Sequence, residues 1–150
     1  SALIQQTVTL LETEARDLGV TISFDPMPSS VATGNRTQIA QVLVNLMRNS
    51  FAAFERIETS HRQVTIRQAN NGNSIETSIQ DNGPGLPVDL KPFSKFITTT
   101  EAGLGLGLSI CQTLMHANEG TIRHEAVSPH GAKFVLTLPD ATSPTKEVNQ

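Results

Sequence analysis

The stretch Asp81-Asn82-Gly83-Pro84-Gly85-Leu86-Pro87 sets a carboxylate ahead of two spaced glycines, a pattern that packing alone explains poorly. It follows Ser74-Ile75-Glu76-Thr77-Ser78-Ile79-Gln80, where Ile75, Thr77 and Ile79 share one face at period two, so a strand should run into a sharp turn. Glycine lets a backbone come close to a flat ligand because no Cβ intervenes. An ionised Asp only accepts hydrogen bonds, which suits an amino-bearing ring such as adenine. A plain Asx-type turn joining two elements would account for the heptapeptide by itself, so other stretches must decide.

Upstream, a helix is expected from about Arg36 to Glu55, with Ile39, Val42, Leu43, Leu46, Met47, Phe51 and Phe54 as its buried stripe. Asn45 and Asn49 lie beside that stripe on one ridge, flanked by Gln38 and Gln41. Asn is a poor helix former, so two of them among core residues need a reason. They could satisfy nearby backbone groups, or an amide oxygen could ligate a hard cation such as Mg²⁺ while phosphates fill its other positions. Downstream, Gly103-x-Gly105-x-Gly107 opens another helix, which carries Leu108, Cys111, Leu114 and Met115 on one face. Backbone N–H groups at a glycine-rich helix start favour phosphate, and such a stretch can also order over a ligand as a lid. It is not a P-loop, since no Gly-Lys-Ser/Thr follows. Nor is it a dinucleotide fingerprint, because Leu108 occupies the third glycine's place.

The rest of the chain supplies a frame for these motifs. Ile4, Val8, Leu11, Ala15 and Leu18 mark an amphipathic first helix ending at Gly19; it packs on its own domain or continues from an upstream bundle. Val20 to Phe24 alternates as a strand, Val64 to Gln68 and Ser74 to Gln80 form a hairpin around Asn70-Asn71-Gly72-Asn73, and Thr121 to Glu125 and Ala132 to Leu138 add two strands. Residues 1–139 are read as one domain, the first helix taking 1–18, and residues 140–150 as a disordered polar tail. The implied fold class is an α/β two-layer sandwich, a sheet with three main helices on one side. A net charge of −3, with no Lys/Arg cluster, gives no general attraction to nucleic acid. The single Cys111 rules out an internal disulfide framework and fits a reducing compartment, and no apolar run reaches membrane-spanning length. The abrupt helical start suggests a piece of a longer protein.

In combination and in this order, the three motifs resemble the catalytic and ATP-binding (HATPase) domain of sensor histidine kinases, in the superfamily that includes gyrase and the mismatch-repair (MutL) ATPases. Gln41 to Ser50 looks like that family's N box, Asp81 to Pro87 its G1 box, and Phe93 to Phe96 an altered F box. Gly103 to Ile110 looks like the G2 box, and Gly131-Ala132-Lys133-Phe134 with Leu138-Pro139 like the closing strand. The resemblance spans nearly the whole chain and implies the Bergerat α/β sandwich. It implies that ATP and Mg²⁺ are bound, with Asp81, Gly83 and Gly85 around the adenine and Asn49, with Asn45 nearby, at the metal. Thr99 and Gly103, Leu104, Gly105, Leu106, Gly107 and Leu108 would close over the phosphates. It implies a protein-histidine kinase acting in the cytoplasm, whose acceptor histidine sits on a separate dimerisation domain and whose phosphate passes to a response regulator. The whole protein would be a homodimer, and any inner-membrane anchor would belong to other segments. Asn49 to Phe54 and Thr98-Thr99 look most like the FixL and nitrogen-regulation branch.

Asn45 stands where gyrase-like relatives carry a glutamate base; an amide cannot take a proton from water, so hydrolysis is disfavoured and transfer to another acceptor is expected. The alternatives are a nucleotide-binding pseudokinase, or another ATPase or serine kinase of the superfamily; a nicotinamide-binding enzyme is more distant. Thr100 and Ala52 stand where lysines are usual, Lys95 replaces the F-box proline, and Asn118-Glu119 replaces His-Gly. Arg48 or Lys95 would be the cations to compensate. His124-Glu125-Ala126-Val127-Ser128-Pro129 imitates an acceptor box, but it falls on an expected strand rather than an exposed helix. His61, His116 and His130 show no ligand spacing and read as surface or packing residues.

Overall fold

In the computed structural model, residues 2–26, 31–86 and 104–141 are described. The first helix, α1 (Ala2–Asp17), buries Ile4, Thr7, Val8, Leu11 and Ala15, the expected stripe with a threonine on it. Thr7 is tolerated there because its Oγ1 donates to the Leu3 carbonyl, 2.8 Å away. Gly19, at φ 68°, turns the chain into β1 (Val20–Asp25).

The second helix, α2 (Arg36–Phe54), starts where the Asn35 side chain accepts from the Gln38 N–H at 3.0 Å. Its stripe of Val42, Leu46, Met47 and Phe54 is wholly buried, so the helix forms the middle of the core. Strands β2 (Arg62–Asn70) and β3 (Ser74–Asp81) form the hairpin, turning at Gly72 with φ 95°. Helix α3 (Leu104–Ala117) leads to β4 (Thr121–Ala126) and β5 (Ala132–Pro139).

The sheet runs β1-β2-β3-β5-β4. β1 pairs with β2 in parallel and every other neighbour is antiparallel, so the sheet is mixed. In β3 burial alternates residue by residue, with Ile75, Thr77, Ile79 and Asp81 inward. One hydrophobic core joins the three helices to that face. The opposite face carries charge, where Arg123 pairs with Glu76 and Glu125. No helix among the described residues is long and apolar enough to cross a membrane.

Two boundaries differ from the sequence reading. Gly105 and Gly107 lie inside the first turn of α3 instead of ahead of it, and for Leu104 and Leu106 only the helical backbone is described. The ordered chain also passes residue 139. Asp140 is buried, bridges to Ala32, and accepts from Asn70 Nδ2 at 2.7 Å, while Ala141 N–H bonds the Val31 carbonyl. A carboxylate with such partners is part of the fold, so the boundary drawn after 139 is corrected to include Asp140 and Ala141; residues 142–150 lie outside the described residues.

Candidate functional site

The register of β3 delivers Asp81 to the inward face at the strand's end, where it is 3% exposed. A carboxylate so buried needs hydrogen bonds to offset its lost hydration. It has three from the protein: Ser50 Oγ donates to Oδ2 at 2.8 Å, and the Gly83 and Ala132 N–H groups reach Oδ1 at 2.9 and 3.2 Å. An ionised carboxylate has about four acceptor sites, so roughly one is left for a ligand donor.

The glycines of the turn serve this clamp before any ligand. A Cβ on Gly83 would come 3.1 Å from Asp81 Oδ1. Gly85, at φ 79°, runs so close to Gly131 that its Cβ would sit 2.9 Å from the Gly131 carbonyl oxygen. Gly131, at φ 133°, is pressed in turn against the Asp81 carbonyl. His130 Nδ1 lies 2.8 Å from the Gly83 carbonyl oxygen. The close approach read from the sequence is therefore, at Gly85, backbone to backbone.

Across from Asp81, one ridge of α2 presents Asn45 and Asn49. Asn45 Nδ2 leans on the Cys111 sulfur of α3, 3.9 Å away. Burial pushes the Cys111 thiol up to about 11, keeping it a neutral packing group. Asn49 differs: its Nδ2 is buried with no hydrogen-bond partner among the described residues. It faces the start of α3, where a Cβ on Gly107 would lie 4.0 Å from it.

Asn49, Ser50, Ala53 and Arg56 from α2 share a pocket with Asp81, Gly85, Leu86, Ala132 and Phe134. A larger groove of about 350 Å³ lies beside Ile4, Val31 and Leu138, is lined mainly by apolar side chains, and includes none of the expected site residues. The chemistry belongs to the smaller pocket, because among the described residues it is there that a buried carboxylate and an amide nitrogen without a hydrogen-bond partner share a lining.

The expected residues thus divide. Asn49, Asp81 and Gly85 line one pocket, Gly83 braces it, and Gly107 borders Asn49. Leu108 buries its side chain completely in the core, so any part it has in the site is left to its backbone. Thr99, Thr100, Gly103, Lys95 and the Phe93–Phe96 box lie outside the described residues. Arg48 does not compensate for the absent lysines, since it reaches Glu14 on α1 at 3.2 Å. Sequence reasoning missed Ser50, whose signal was a hydroxyl beside the buried stripe. It also missed His130 and Arg56, which carried none. His124 lies on β4, tilted against Phe134, which agrees with rejecting it as an acceptor.

Among the described residues no cluster of His, Cys, Asp or Glu could hold a metal. A hard cation here would rest on an Asn49 amide oxygen and on ligands brought by a phosphate chain, the usual arrangement for Mg²⁺. The atom of Asn49 left without a partner among the described residues is the Nδ2 donor, which suits a phosphate oxygen, while the oxygen of the same amide is the atom that would face the cation.

Residues 34–142 match the family described as histidine kinase-, DNA gyrase B-, and HSP90-like ATPase. The chain is 35% identical over 144 residues to the sensor protein FixL of Bradyrhizobium diazoefficiens, a match covering 94% of this chain and 28% of FixL. It therefore spans little more than a quarter of that relative's length. The nucleotide-free catalytic domain of histidine kinase ThkA superposes with a TM-score of 0.80 at 29% identity, covering 95% of this chain and 94% of that one. ThkA is also known in complex with the response regulator protein TrrA. Full-length ShkA in complex with AMPPNP matches with a TM-score of 0.74 at 27% identity, over 95% of this chain and 30% of that one.

Proposed function

The chain belongs to the histidine kinase-, DNA gyrase B- and HSP90-like ATPase family, as an ATP-binding domain of the sensor histidine kinase kind, and from that premise we propose that it binds Mg-ATP in the Asp81–Asn49 pocket and donates the γ-phosphate to a histidine on a separate domain. Asp81 accepts from the adenine amino group with its remaining acceptor site. Gly83 holds the carboxylate, Gly85 lines the base pocket, and Asn49, with Asn45 one turn away, takes the metal. Gly103, Gly105 and Gly107, with Thr99, lie along the phosphates. The domain occupies residues 1–141 and works in the cytoplasm. Its dimerising partner domain lies elsewhere in a homodimeric kinase, and a response regulator receives the phosphate, as the ThkA complex suggests by analogy.

One observation carries this reading: a buried carboxylate already held by three protein donors shares a pocket with a buried amide nitrogen that has no hydrogen-bond partner among the described residues. Asn45, an amide, supports transfer over hydrolysis, and among the described residues lining the pocket the only carboxylate is Asp81, which is committed to three protein donors and the base. Phosphoryl transfer asks mainly for positioning and charge neutralisation.

Calorimetric titration with ATP, with and without Mg²⁺, tests the assignment. Asp81→Asn should abolish measurable binding, because its amide would turn an N–H toward an N–H. Asn49→Ala should keep nucleotide binding but lose its response to Mg²⁺. A folded wild type that binds no ATP would sink the reading.

A further inference from the structure

We propose that Arg56 contacts the base of the bound nucleotide, its guanidinium lying against the purine ring at the mouth of the Asp81 pocket. The inference rests on the reading of that pocket as a nucleotide site. Arg56 lines it together with Asn49 and Asp81, and it is the only lysine or arginine among the described residues that does so. It is exposed, so it stands at the rim while Asp81 forms the floor.

Position decides which part of the ligand it meets. Arg56 follows Asn49 by seven residues and lies two past the end of α2, in the tight closing turn where its N–H bonds the Ala53 carbonyl. Seven residues are two helical turns, about 10 Å along the axis. Ser50, bonded to Asp81, and Ala53, beside Gly83, lie between them. Going along α2, the order is therefore metal and phosphate at Asn49, base at Ser50 and Ala53, then Arg56 on the far side of the base. A cation there is badly placed for phosphate and well placed for a flat ring. Ala53, Leu86, Ala132 and Phe134 line the same pocket, so a base entering it would meet small or apolar side chains beside the guanidinium.

The chemistry of the side chain agrees. A guanidinium is planar, weakly hydrated and stacks flat on aromatic faces, whereas a compact, strongly hydrated ammonium is attracted to the face without stacking on it. Arg48, Arg62 and Arg123 are already engaged with Glu14, with the Leu18 carbonyl and with Glu76 and Glu125. The Arg56 guanidinium has no hydrogen bond or ion pair among the described residues, so nothing within them competes for it.

The experiment is an NMR titration of the wild type, Arg56→Ala and Arg56→Lys with adenosine and with Mg-ATP. Arg56→Ala should weaken adenosine and ATP by the same factor, about 5- to 20-fold, as expected for losing a cation–π contact. Arg56→Lys should recover only part of the loss, and the Mg²⁺ response should stay as in the wild type. Unchanged affinity in Arg56→Ala overturns the inference while leaving the pocket assignment standing. A loss for ATP without a loss for adenosine also overturns it, assigning the cation to phosphate. A wild type that binds neither ligand removes the pocket reading and this inference together.

Discussion

Asp81 and Asn49 border the same pocket, yet the protein treats them in opposite ways. The carboxylate is saturated almost to its limit by Ser50, Gly83 and Ala132, whereas the amide nitrogen of Asn49 is buried with no partner among the described residues. The first arrangement makes a rigid acceptor whose direction is set before a ligand arrives. The second leaves a polar group whose desolvation is uncompensated until something enters, at a cost of about 1–3 kcal/mol. A site with one end finished and the other open should hold the base with little rearrangement and let phosphate and metal complete the rest.

The largest expected effect comes from breaking the finished end. In Gly131→Ala the new Cβ would meet the Asp81 carbonyl, at a backbone φ of 133° that an L-residue rarely adopts. Neither the end of β3 at Asp81 nor the entry to β5 after Gly131 can yield without disturbing the strands they join, so a loss of about 3 kcal/mol in folding stability and of ATP binding is expected from denaturant titration and calorimetry. An intact, ATP-binding Gly131→Ala would show that the clamp around Asp81 is dispensable. Ser50→Ala is the milder version. It removes one charge-assisted bond of 2.8 Å and leaves the shape nearly unchanged, so stability should fall by about 1.5–3 kcal/mol. ATP affinity should fall with it, since Asp81 loses part of what fixes its direction. Stability and affinity that stay at wild-type values in Ser50→Ala would mean that Gly83 and Ala132 alone suffice.

The two ends of the site were not equally legible in the sequence. Strand periodicity led straight to Asp81, and i, i+4 spacing led to Asn45 and Asn49, because both signals are local in the chain. The clamp was not local. Ser50, Ala132 and His130 reach the Asp81 turn from positions 31 to 51 residues away, and only the order β3-β5 brings them there. Even the glycines were read for the wrong neighbour: Gly85 is small for Gly131, a partner that strand pairing alone reveals. The tail boundary failed similarly, since Asp140 looks like a solvated residue until Asn70 and Ala32 are seen beside it. At Asn118-Glu119, the departure from His-Gly proved structural. Glu119 takes φ 58°, where a glycine would sit without strain, while Asn118 bonds Gln38 and the Asn35 N–H.

The open end gives smaller effects that sharpen the comparison. Asn49→Ala removes an unpartnered buried atom and a poor helix former, so the nucleotide-free domain should be as stable as the wild type or gain up to about 1 kcal/mol. A clear loss of stability would mean that Asn49 is a structural residue instead of one held ready for a ligand.

His124 is the control, because its Nε2 is likewise buried without a partner among the described residues, although it lies on β4 outside the pocket lining. Burial lowers its pKa below the ordinary histidine value, with the charges of Asp81 and Glu125 opposing the shift in part. The folded state thus binds this proton less readily than the unfolded chain does. Its contribution to stability is complete above the unfolded value near pH 6.5 and declines as pH falls from there toward the lower folded value. His124→Leu should flatten that part of the stability–pH curve and leave the Mg²⁺ response of ATP binding unchanged. If instead His124→Leu altered the Mg²⁺ response as Asn49→Ala does, an unpartnered buried nitrogen would no longer distinguish the open end of the site from ordinary packing.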